Sequence, residues 1–169
     1  MTSNEKLKVL KALLDSLSFR DLTLSLDLLV TGAVVYFYAS SLMMATAEQL
    51  ASGVWISQLL VKVVGVSIAL SIVSQLLLEL VSDGEVDQPM DEREKQVSLV
   101  GNKYALWTLQ AGVCFAIGQY AFEQNGMGFA EHAPLPFFTL HIMVGAFLLA
   151  ELVNYATQLI RNRMVTPYG

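Results

Sequence analysis

Four long runs of sequence, at about residues 22–43, 54–81, 99–122 and 137–160, are almost bare of charge, and they constrain the fold more than any other feature. Runs of about 20 apolar residues match the hydrocarbon thickness of a bilayer. A soluble bundle would show polar side chains at helical period on every helix, and these runs mostly do not. Only 15% of the chain is charged, against about 25% in soluble domains, while 54% is apolar. The predicted fold is all-α: a polytopic membrane protein of four transmembrane helices in a single membrane domain, residues 1–169.

The charges gather between the runs. Of ten basic residues, Lys6, Lys8, Lys11 and Arg20 precede the first run, Arg93, Lys95 and Lys103 lie at the central loop, and Arg161 and Arg163 follow the fourth. The tenth, Lys62, is inside a run. The positive-inside rule then predicts cytoplasmic termini and a cytoplasmic central loop, in a bacterial inner membrane. Residues 4–17 place Leu7, Leu10, Leu13, Leu14 and Leu17 on one helical face, with Lys8, Lys11 and Asp15 opposite. That pattern predicts an N-terminal amphipathic helix lying in the interface. Without a hydrophobic core and small-residue cleavage site, this segment is not read as a cleavable signal peptide.

Local signals refine the map. Tyr36, Tyr38 and Trp55 sit where aromatic rings favour the headgroup level. The second run, about 42 Å long as a helix, exceeds the hydrocarbon thickness and is expected to tilt or project. Residues 82–98 form a cytoplasmic loop and helix start. There Asp91 and Glu94 have capping-box spacing, so a helix is predicted to begin at about Asp91 and run into the third span. Gly126, Gly128, Pro134 and Pro136 mark irregular backbone in the third loop. The second run ends SQLLLELVS and the fourth contains AFLLAELVN, a weak repeat that superposes Glu79 on Glu151.

Ionisable groups within spans are costly and are the first functional candidates. Asp27, Lys62, Gln110, His141 and Glu151 form the candidate intramembrane polar site. Lys62 fits either a side chain reaching the headgroups, or pairing with Glu48 or Glu131, or a fixed positive charge lining an outward-facing pocket. Asp27 shares a face with Thr31 and Tyr38, and Glu151 a stripe with Leu148, Tyr155 and Gln158. Depth places Asp27 and Glu151 in one leaflet half, where they share a proton or cation, or else bond locally near water, Asp27 with Lys103. Lys103, Trp107, Gln110 and Cys114 line one stripe, and Gln110 is expected to bond a neighbouring helix. Gly145, one turn from His141, is expected to mark a close helix approach.

Several classes are excluded or disfavoured. With a net charge of −5 and no basic patch, nucleic acid is not a partner. The single cysteine, Cys114, allows no internal disulfide and reads as a small buried hydrophobe. Haem needs histidines at matched depth on facing helices; His132 and His141 are in one segment. No P-loop, H-E-x-x-H, G-x-S-x-G or C-x-x-C occurs, and the stripe of Ser67, Ser71 and Ser74 has no histidine placed to activate it. No catalytic residue, metal or cofactor is expected.

The sequence D-E-R-E at Asp91 to Glu94, just before a span and followed by aliphatic and then small residues, resembles a family of short four-span bacterial and archaeal membrane proteins of unknown function. Those proteins carry a D-E-R motif between spans two and three. The likeness covers the topology and roughly 15 residues, and this chain has a longer N-terminus and third loop. It implies that Asp91, Glu92 and Arg93 are the motif, read here as a partner-docking feature. The leading expectation is a non-enzymatic accessory, regulatory or assembly protein, homo-oligomeric, with the bilayer and a cytoplasmic or membrane protein as partners. Gly65, Ser67 and Ala69 offer a self-association face. The rival is an oligomeric transporter or channel using the intramembrane charges; a haem or quinone protein is the remote third.

Overall fold

The computed structural model describes residues 19–81, 90–125 and 135–164. The amphipathic segment 4–17, loop residues 82–89, Glu131, His132 and most of the third loop lie outside them. Among the described residues every regular element is helical: α1 (Phe19–Met44), α2 (Ala47–Ala51), α3 (Gly53–Val81), α4 (Glu92–Gln124) and α5 (Phe138–Met164).

The chemistry of the ends fixes where several of these begin. Thr46 caps α2 in a reciprocal capping box with Gln49, each side chain bonding the other's backbone N–H. The Ser52 hydroxyl then accepts from the Trp55 N–H at 3.3 Å, starting α3 immediately after α2. Asp91 caps α4 as predicted: Glu94 N–H donates to Asp91 Oδ1 at 2.6 Å, and Asp91 N–H to Glu94 Oε2 at 3.2 Å. Helix α5 follows Phe137, which has a left-handed backbone (φ 56°) just after Pro136. In α3, many β-branched residues of modest helix propensity remain helical over 29 residues. In an apolar solvent every backbone N–H and C=O must bond within the segment, and that constraint outweighs propensity.

The principal packing runs in a row: α3 against α1, α1 against α5, and α5 against α4. A cluster of Val34, Tyr38, Leu59, Val63 and Leu148 ties α1, α3 and α5 together. Between α4 and α5 the contact is closer than large side chains allow. A Cβ on Gly112 would collide with Ala146, and one on Gly101 would lie 2.6 Å from Gln158 Cγ. Gly145, expected to be the point of close approach, faces open space instead. The approach falls on α4 because the face of α5 bearing Ala146 and Ala150, not Gly145, is the buried one.

Three helices, α1, α3 through Leu80, and α5, are long and apolar enough to cross a membrane, and only 17–22% of their most apolar windows is buried. Leu29, Val61, Leu80 and Phe147 are among the large apolar side chains that point outward. Long apolar helices with an apolar exterior are what a membrane protein presents to lipid. Helix α4 is the exception: as long as the rest, it carries Glu92, Arg93, Glu94, Lys95, Lys103 and Glu123.

Candidate functional site

The densest polar arrangement is a seam between α1 and α5. On α5, Glu151, Asn154, Tyr155, Gln158 and Asn162 recur at helical spacing, so they line one stripe. Asn162 Nδ2 donates to Asp21 Oδ1 at 2.7 Å. One turn along, Arg20 donates to Gln158 Oε1 at 2.9 Å, and Gln158 Nε2 passes the chain to Asn154 Oδ1 at 2.8 Å. The Tyr155 hydroxyl then faces the Glu151 carboxylate, and Asp27 lies within electrostatic range of Glu151 and Arg20. Asp27 and Glu151, which depth in the sequence put at one level, are thus within electrostatic range of each other. The partner it offered Asp27 was wrong: Lys103 points away from the seam and sits over its own Trp107 ring, 4.8 Å from the centroid.

At the opposite end of α1, the buried Tyr38 hydroxyl and His141 Nδ1 are 2.5 Å apart, a strong hydrogen bond across the two helices. The Pro136 carbonyl faces the same ring, yet His141 Nε2 is buried without a hydrogen-bond partner. Gln119 on α4 is also buried. Its Nε2 donates to Glu123 at 3.0 Å, and Thr139 donates to the same carboxylate oxygen at 3.3 Å, while Gln119 Oε1 has no partner. Sequence reading missed Gln119, although its position four residues before Glu123 is a visible side-chain pairing.

The remaining candidates are scattered. Lys62 is exposed on α3, with no ion pair to Glu48, and lines two shallow clefts of about 500 and 320 Å³ beside Ser57, Gln58, Ser41 and Trp55. Gln110 is exposed, and the neighbouring-helix partner expected for it is not found among the described residues. Cys114 is likewise exposed rather than buried. Of the five polar candidates only Asp27 and Glu151 lie within electrostatic range of each other. Among the described residues no cluster of His, Cys, Asp or Glu could hold a metal. The superposition of Glu79 on Glu151 finds no echo in environment, since Glu79 is exposed near the end of α3 and Glu151 is half-buried in the seam.

The D-E-R residues each have a structural engagement. Asp91 is the cap, Glu92 pairs with Lys95 at 2.7 Å, and Arg93 donates to the Asn162 carbonyl at 3.0 Å, closing the open end of α5. Beside them a groove of about 700 Å³ is lined by Arg93, Arg161 and the apolar Val97, Leu99, Val100 and Met164. Replacing Asp91 by alanine is expected to cost about 1 kcal/mol of helix stability. Faster amide hydrogen exchange at Arg93 to Lys95 is the measurement that checks it.

Comparison with protein-family models, curated proteins and solved structures finds no match to this chain.

Proposed function

We propose that this chain is a non-enzymatic accessory, regulatory or assembly protein of the bacterial inner membrane. In this reading it crosses the bilayer four times, keeps both termini in the cytoplasm, lays residues 4–17 along the interface and forms a homo-oligomer. Two facts support α4 as the fourth span. It lies against α5 from the Arg93–Asn162 bond at one end to the Thr139–Glu123 bond at the other, and its close contacts at Gly101 and Gly112 fall between them. A helix that accompanies a membrane-crossing neighbour along its length shares its depth. The proposed kinship with the four-span D-E-R proteins fits that topology.

The observation that carries the non-enzymatic reading is the dispersal of the polar candidates. A conduction path needs its charges to line one route. Here Lys62 and Gln110 lie on separate exposed faces, His141 bonds Tyr38, and the seam beside Asp27 and Glu151 is closed by bonds among Arg20, Gln158 and Asn154. The groove beside Arg93 and Arg161 has the chemistry to dock an acidic, partly apolar segment of a partner protein. Purified protein in sealed liposomes should dissipate no proton, sodium or potassium gradient above empty liposomes. A flux that disappears in Glu151→Gln or Lys62→Gln would overturn this reading in favour of the transporter. That second reading draws its support from the proximity of Asp27 and Glu151, two carboxylates able to share a proton or cation.

A further inference from the structure

Helix α4 presents two faces of different character. One, with Gly101, Gly112, Ala116 and Gln119, packs on α5. The other carries Lys103, Trp107, Gln110, Cys114, Ile117 and Ala121, all exposed. Their alternating spacing of four and three keeps a side-chain row facing a parallel neighbour helix, as in a left-handed coiled coil. Gln110 stands about 10 Å along the helix from Lys103 and about 18 Å from Phe122, so it is deep within the proposed span. A carboxamide turned toward lipid there loses every hydrogen bond that water would give it.

We propose that this face joins two copies of the chain, each Gln110 hydrogen-bonding the Gln110 of the partner subunit across a two-fold axis along the membrane normal. The occupant follows from three features. An amide both donates and accepts, so it is complementary to itself. Copies inserted with one topology run parallel, and such an axis brings identical residues together at identical depth. The row has the spacing that a parallel pair requires. Lys103, at the polar boundary and laid over Trp107, has headgroups within reach, so the two lysines need not meet. The other candidate helix, α3 with Gly65, Ser67 and Ala69, also exposes amides, Gln58 and Gln75, but they stand only five and six residues from its ends, within about 9 Å of the headgroup level by helical rise.

This inference rests on the reading of α4 as a span, and one cysteine tests both. Cys114 is the single cysteine in the chain, exposed and one turn from Gln110. Full-length protein in native membranes, oxidised with copper–phenanthroline, should give a non-reducing band at twice the 18.5 kDa of the chain. Cys114→Ser should remove it, and neither Cys114→Ser/Leu149→Cys nor Cys114→Ser/Gly65→Cys should restore it. Gln110→Leu should weaken the dimer about 3- to 20-fold on dilution in lipid, the equivalent of roughly 0.6–1.7 kcal/mol for an interhelical hydrogen bond. Crosslinking through Gly65→Cys but not Cys114, or a Gln110→Leu dimer as strong as wild type, overturns the proposal. A charged, membrane-impermeant maleimide separates the two levels. If it labels Cys114 in sealed vesicles, α4 is not a span and both fall; if it does not label and no Cys114 dimer forms, the span stands and this interface is wrong.

Discussion

Gly112→Ala should drive α4 off α5 and lower the stability of the protein by about 1–3 kcal/mol, the usual cost of forcing added volume into a packed contact. The new methyl has nowhere to go: the Ala146 side chain occupies its position, and the Ala146 Cα is only 3.3 Å away. Both obstacles belong to a rigid helix, so no side-chain rotation relieves them. The contact is also what lets the backbones approach, and membrane helices associate chiefly through such packing. Ala146→Gly in the same molecule removes the first obstacle and should recover at least half the loss. Unfolding in mixed detergent micelles, followed by circular dichroism, measures both. Equal stability of wild type and Gly112→Ala would mean that α4 and α5 are not packed at this register.

The second large effect is expected at Gln158. It is 4% exposed, accepts from Arg20 and donates to Asn154, so it is the central link of the seam. Gln158→Leu removes both bonds and leaves the Arg20 guanidinium half-buried without that acceptor. Hydrogen bonds to charged groups contribute about 1.5–3 kcal/mol, and the orphaned partner sets the larger part of the loss. Removing both partners should therefore cost less than removing one, because an apolar pair of similar size replaces a polar one. A double-mutant cycle with Arg20→Met reads this directly. Additive losses in that cycle would show that water, rather than Gln158, satisfies Arg20.

What the sequence made legible was local or one-dimensional. The Asp91–Glu94 cap is written within four residues and formed as expected. The Thr46–Gln49 cap carries the same four-residue signal. Depth along a helix is also countable, so Asp27 and Glu151 are placed at one level, and the two lie within electrostatic range. What was not legible is azimuth, the choice of which face each helix turns to its neighbour. Nearly all faces of these helices are apolar, so composition alone does not orient them. Lys103, Gln110 and Cys114 were rightly put on one stripe, but that stripe turns outward rather than into the chain. The same ambiguity placed the close approach at Gly145 instead of Gly112, a contact between residues 34 positions apart that no local pattern announces.

The seam has a consequence for biogenesis. Its α1 half, with Arg20, Asp21 and Asp27, leaves the ribosome long before Asn154, Gln158 and Asn162 are synthesised. During that interval Asp27 has Arg20 within electrostatic range, but the Gln158 oxygen that accepts from Arg20 does not yet exist. The hydrogen bonding of the α1 end is completed only when the last helix arrives. Truncating the chain before α5 should accordingly leave a nascent protein that proteases clear, even though α1, α3 and α4 are already complete.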